Sequence, residues 1–297
     1  MVSFVGLTTA SGLMHLASAK QPDYPTIEDF LPKPALFAGT PFAINRIILI
    51  RIILTVVILV VLGLTASHAK LIPSRWQSVV EYGLDFVRES IVYDVIGKER
   101  GKRYVSTITT IFFSIFIFNL GAVIPFANMA ATATICAPLV FALWSVYNYW
   151  AAGIRAHGLG GFLREELFPA GIPWPIYILL APINLIEITL IRPFSLTVRL
   201  FANMLSGHLL VGMCLAATQF FFIETNTKIF APFGVLTLAG GMFMTCFEIF
   251  VAGLQAYIFS ILTASYISMS LGEEEEEEDK KVSQAAQPAA QLAAVSA

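Results

Sequence analysis

Four ionisable residues stand in stretches that are otherwise apolar. Arg192, Arg199 and His208 fall within RPFSLTVRLFANMLSGH, residues 192–208, and Glu248 is the one charged residue between Ile229 and Leu271. A charge at the centre of a bilayer costs about 2.5–3.5 kcal/mol even on the lenient insertion scale, so such groups face a protein interior or an aqueous path. Arginine does not lose its proton near neutral pH, which makes Arg199 a fixed cation and not a proton carrier. Imidazole titrates near pH 6.5 when unperturbed and a carboxylate exchanges protons too, so His208 and Glu248 together make one proton step. At about 100° per residue, Arg192, Asn203 and Ser206 fall within about 40° of Arg199, while His208 lies about 180° away. The helix therefore has two polar faces. Gln255 follows Glu248 by two helical turns, where its amide meets Arg199 if the two stretches pack antiparallel. The chemistry available is two proton paths separated by a permanent cation. The plainer readings are interhelical hydrogen bonds for His208, Asn203 and Gln255, and a local ion pair between Glu187 and Arg192.

The rest of the chain must hold these groups in a membrane. Of 297 residues, 57% are hydrophobic and 13% charged, against about 45–50% and 25% in soluble domains. Seven of the 20 acids form the run from Glu273 to Asp279; without that tail and its two lysines the chain has 13 acids and 16 bases. Neither sign dominates, which argues against nucleic acid as a partner. Cys136, Cys214 and Cys246 stand singly in apolar runs, as small core residues do. No metal-ligand spacing, cofactor motif or nucleotide-binding GxxxxGK[ST] is present.

The expected architecture is an all-α membrane protein. Residues 1–46 are proline-containing with no signal-peptide pattern, and are expected outside the membrane. Span one runs from Ile47 to Ala66, long enough to cross a core of about 30 Å. Residues 75–96 form an amphipathic helix opened by a Ser74/Gln77 capping box, lying on the membrane surface or on a partner. The bases from Lys70 to Arg103, including KERGKR at 98–103, place this connection in the cytoplasm and the N-terminus outside. Val105–Ile124 and Thr134–Trp150 are spans two and three, joined by an external turn near Pro125. Residues 153–172 return as a cytoplasmic loop, and His157 and His68 read as solvated. Two apolar segments follow, Ile176–Ile223 and Ile229–Leu271, joined by ETNTK at 224–228. As helices they run about 65–70 Å each, so each is either two spans with a buried turn or one long tilted helix, and Pro182 and Pro193 allow breaks in the first. The membrane domain is thus 47–272, and 273–297 is an acidic, disordered cytoplasmic tail.

RPFSLTVRLFANMLSGHLL at 192–210, LQAYIFSILTASYIS at 254–268 and FNLGAVIPF at 118–126 closely resemble subunit a of the F-type ATP synthase, over about Leu31 to Leu271. The N-terminal LPKPALFAGTPFAINRIILIR resembles the bacterial, actinobacterial-type version. The resemblance implies a stator subunit in the bacterial plasma membrane, packed as a tilted two-helix hairpin against a rotating ring of c subunits that each carry a buried carboxylate. It also implies the subunit b peripheral stalk and the rest of the complex as partners. Arg199 matches the family's essential stator arginine and Asn203 its neighbour. His208 and Glu248 match two positions of a proton half-channel, with acid and histidine exchanged relative to some members. Gln255 matches the glutamine close to the arginine, and Tyr266 a polar position further along. Asn119, Asn184 and Glu187 match polar channel-lining positions. The turn after Asn119 lacks the aspartate of some bacterial members.

The implied mechanism has a proton entering from outside past Glu248 and His208, neutralising a ring carboxylate and leaving through a cytoplasmic half-channel after nearly a full turn. Arg199 stabilises the deprotonated carboxylate and blocks a direct leak. The drive is about 2.3 kcal/mol per charge per 100 mV, so several protons combine for one ATP. The chain is not catalytic alone. The rival reading is a proton-coupled secondary transporter, which predicts internal repeats; none is visible.

Overall fold

The computed structural model describes residues 34–36, 44–67, 75–121, 123, 134–168, 174–224 and 231–272. Most of the N-terminal segment, the Pro125 turn, Ser74 of the expected capping box, His68, most of ETNTK and the acidic tail lie outside the described residues. The architecture is that of an all-α membrane protein. Its exception is a small antiparallel pairing of β1 (Pro34–Leu36) with β2 (Ile44–Asn45) ahead of the first span.

Among the described residues eight helices follow: α1 (Arg46–Ser67), α2 (Arg75–Val87), α3 (Lys98–Gly101), α4 (Val105–Leu120), α5 (Cys136–Leu167), α6 (Trp174–Ile186), α7 (Arg192–Gln219) and α8 (Ala231–Leu271). Wide π turns continue α2 through Arg88–Tyr93, link α6 to α7 at Glu187–Ile191 and end α7 at Phe220–Glu224. Three of the described stretches are long and apolar enough to cross a membrane: Ile47–Thr65, Ile176–Ile223 and Pro232–Leu271. Each of the two long segments is a single helical run with no buried turn. At 41 residues, α8 is about 60 Å long.

The expected loop after span three is instead helical. It continues α5 as far as Leu167, with one break at Gly158, whose φ of 71° and ψ of 166° fall in a region essentially reserved for glycine. The chain folds back there, and Phe162 drops onto Gly153, where a Cβ would overlap its ring. Trp150 packs beside Phe162 at 5.9 Å between centroids. His157, expected in water, instead meets the Leu271 carbonyl at 3.2 Å.

The contacts divide the chain into two compact units, residues 1–55, 117–134 and 200–254 in the first and 56–116, 135–199 and 255–297 in the second. In the first, Arg51 of α1 donates to the Thr134 hydroxyl, and Gly121 lets Leu54 come within 2.7 Å of where its Cβ would be. The second half of α7 and the first half of α8 run antiparallel. Thr218 bonds Thr237 at 3.0 Å, while Cys214 lies against Gly241, Phe222 against Gly234 and Glu248 against Gly207. Small residues allow these backbones to approach closely.

In the second unit, α5 and the last half of α8 run parallel. Ser145 and Thr263 share a buried hydrogen bond of 2.9 Å, and the rings of Tyr149 and Tyr266 lie 6.0 Å apart. The contact stripe of α8 is small, with Ala256, Ser260, Thr263 and Ala264 all fully buried. Val87, Ile91 and Val92 bury the apolar stripe of α2 in the same core as Ile108 and Ile267. Phe86 meets Phe112 at 6.1 Å and Tyr257 at 6.2 Å. The amphipathic helix is thus packed on its own chain. Gln77 donates to Glu81 at 2.7 Å, one turn ahead of it.

Candidate functional site

The second unit holds a buried arginine with its counter-charges. Arg192 is 7% exposed, and its guanidinium lies 3.6 Å from a carboxylate oxygen of Glu166 and 3.6 Å from one of Glu187. The faces of Tyr266 and Tyr149 lie 5.0 and 5.8 Å from its central carbon, within the range of cation–π attraction. Asn184 donates to the Glu166 backbone carbonyl at 3.1 Å, fixing the end of α5 beside α6. The structure therefore brings three expected site residues, Asn184, Glu187 and Tyr266, around Arg192. The sequence alone gives Arg192 only a local pairing with Glu187, and does not single out Glu166 or Tyr149.

The wide turn explains how Glu187 and Arg192 meet. Residues five apart are about 140° from each other on an α-helix, but a π turn bonds residue i to i+5 and stacks them. The Arg192 N–H indeed donates to the Glu187 carbonyl. In that register the donor due to the Ile188 carbonyl is residue 193, a proline without an N–H. The Tyr149 hydroxyl takes its place and donates to Ile188. An α turn would instead press the Pro193 ring on the Thr189 carbonyl.

Arg199, seven residues on, is half-buried, and no carboxylate lies within ion-pair distance of it among the described residues. Gln255 is 3% exposed in the same unit.

In the first unit, Glu248 and His208 are both half-buried. The Glu248 carboxyl fills the notch at Gly207, one residue before His208, and its Oε1 has no hydrogen-bond partner among the described residues. Asn203 faces outward, and its carbonyl accepts from Ser206 at 3.1 Å. Asn119 is 1% exposed near the end of α4. The notch is readable in the sequence only as a glycine next to a histidine, since its partner is 41 residues away. No cluster of metal-ligating side chains exists among the described residues.

The family described as ATP synthase A chain matches residues 48–268. Relatives named ATP synthase subunit a include that of Rhodococcus erythropolis, 39% identical over 84% of this chain and 91% of the relative. The Frankia alni protein is 36% identical over 78% of this chain and 80% of its own. The Nocardioides protein is 34% identical over 76% and 82%.

Proposed function

Because this membrane chain belongs to the ATP synthase A chain family, we propose that it is the stator proton-channel subunit of the complex. In this reading it offers two offset half-channels to a c-ring, is anchored by subunit b, and couples proton flow to rotation while other subunits handle ATP. Residues 1–46 lie outside a bacterial plasma membrane, 47–272 in and along it, and 273–297 in the cytoplasm.

One contrast supports the reading most. Arg192 and Arg199 stand on one helix, two turns apart, and the first is matched within the chain by two carboxylates while the second is matched by none among the described residues. A half-buried cation without a counter-charge among the described residues is one that a carboxylate from outside the chain can match. A ring carboxylate supplies it on each step, and Arg199 favours the ionised form by Coulomb attraction. The contacts along α7 and α8 pair residues whose numbers sum to 455 or 456. Continued, that register brings Arg199 level with Ala256 and Tyr257, with Gln255 the adjacent residue, so that its amide is near enough to help orient the guanidinium.

Glu248 and His208 form the entry step, with Asn119 and Asn203 as polar neighbours along the path. Asn184, Glu187 and Tyr266 line the exit. The deciding experiment uses inverted vesicles carrying the assembled complex with Arg199→Ala. Loss of ATP-driven pumping with the subunit present, and passive leak retained or raised, fits the gate. Pumping near the wild-type rate sinks it and favours a transporter instead.

A further inference from the structure

The Ile188 carbonyl, Pro193 and Tyr149 form a device that the proton path itself does not require. We infer that Tyr149 is a positioning residue for Arg199: its hydroxyl closes the backbone position left open where the wide turn meets Pro193, and so holds the helical phase at which Arg199 is presented. The inference rests on the reading of Arg199 as the stator cation.

Helical register links the two residues. A π turn accommodates one residue more than an α turn, so its loss shifts everything after it by about 100° relative to everything before. The turn spans Glu187–Ile191, and Arg199 lies two helical turns beyond it. Anything that stabilises the turn sets the direction of Arg199 relative to α6.

Two opposed effects act on this turn. Pro193 disfavours the α register, because its ring clashes with the carbonyl four residues back. It also weakens the π register, because it cannot donate to Ile188, and a buried carbonyl without a donor is destabilised. The Tyr149 hydroxyl removes that second penalty by donating to Ile188. Ile188 is 1% exposed and Tyr149 fully buried, so no bulk water competes for the site. Without the hydroxyl, the Ile188 carbonyl can be satisfied by the Arg192 N–H, which returns the turn towards the α form and rotates Arg199 away.

Tyr149→Phe isolates this effect, because the ring that faces Arg192 at 5.8 Å is kept and only the hydroxyl is lost. Pro193→Ala is its matched partner, since it restores at position 193 the backbone N–H that the π register directs at Ile188; because it also removes the ring clash that disfavours the α register, it is the reference for the double variant. The test measures ATP-driven pumping and subunit amount in vesicles carrying Tyr149→Phe, Pro193→Ala, the double variant and Arg199→Ala. Misorienting a group by an ångström or so can lower rates by up to about 100-fold, and Tyr149→Phe is expected to lose about 10-fold or more. The double variant is expected to pump as Pro193→Ala does. Such a rescue is not expected if Tyr149 merely fills space. Tyr149→Phe at the wild-type rate, or a double variant that pumps below Pro193→Ala, overturns the inference while an inactive Arg199→Ala leaves the stator reading standing. An Arg199→Ala variant that pumps normally removes both. If Tyr149→Phe fails to accumulate, recovery of amount and pumping in the double variant supports the inference, and their absence overturns it.

Discussion

The Oε1 atom of Glu248 lies 2.5 Å from the position a Cβ would take on Gly207. The carboxyl group of one helix thus occupies the space that a missing side chain leaves on the other. Replacing Gly207 by alanine must displace the Glu248 head. Alanine favours the helix over glycine by roughly 0.5–1 kcal/mol, so subunit amount is expected to hold while pumping falls. Glu248→Asp in the same chain withdraws the carboxyl by one methylene and should recover part of the rate. Equal pumping by wild type and Gly207→Ala would show that the notch does not matter to transport.

Arg192→Met leaves two carboxylates facing each other without their cation. Removing one partner of a buried pair typically destabilises by about 3–5 kcal/mol, so the variant should accumulate poorly. Glu166 is the more buried of the two, with its side chain 13% exposed against 48% for Glu187. Adding Glu166→Gln is therefore expected to restore more protein than adding Glu187→Gln. Quantitative blotting of membranes reads this, and the opposite order would contradict the burial argument.

The fold-back at the end of α5 depends on two glycines for different reasons. Gly158→Ala meets a backbone strain of about 1–3 kcal/mol, and no smaller partner relieves it. Gly153→Ala meets the Phe162 ring, an overpacking of about 1–3 kcal/mol, which Phe162→Leu is expected to relieve. Thermal stability of the purified complex in detergent should show rescue in the second case only.

Orientation has a direct test. In a chain with Cys136, Cys214 and Cys246 replaced by alanine, Ser3→Cys is expected to react with an impermeant maleimide on intact cells. Ser283→Cys should react only after permeabilisation. The reverse pattern would invert the assignment drawn from the basic connection.

The sequence is most informative where the physics is local. An aliphatic run long enough to cross a bilayer and the three-and-four spacing of Val80, Leu84, Val87 and Ile91 are sufficient to predict α1 and α2. The two long segments are ambiguous because each is about twice the length of a perpendicular span, and in the first Pro182 and Pro193 permit a break without requiring one. A wide turn absorbs Pro193, and whether it forms depends on a tyrosine 39 residues away in a different helix. The end of α5 reads as a loop because Arg155, Gly158, Gly160, Gly161 and Arg164 are loop-like in composition, whereas the stretch is helical and buries Phe162 on Gly153. Glu166 falls in the same stretch, so its pairing with Arg192 leaves no mark in either local pattern. The candidate site is legible as a set of buried polar residues, and the contacts dividing that set are not.

Glu166 and Glu187 both precede Arg192 in the chain. During synthesis the two anions are therefore made first, and both carboxylates are already in the chain when the Arg192 cation is added. Arg199 emerges next and meets no such partner among the described residues. In the proposed function, the order of residues along the polypeptide thus separates a charge matched within its own subunit from one left for another molecule to match.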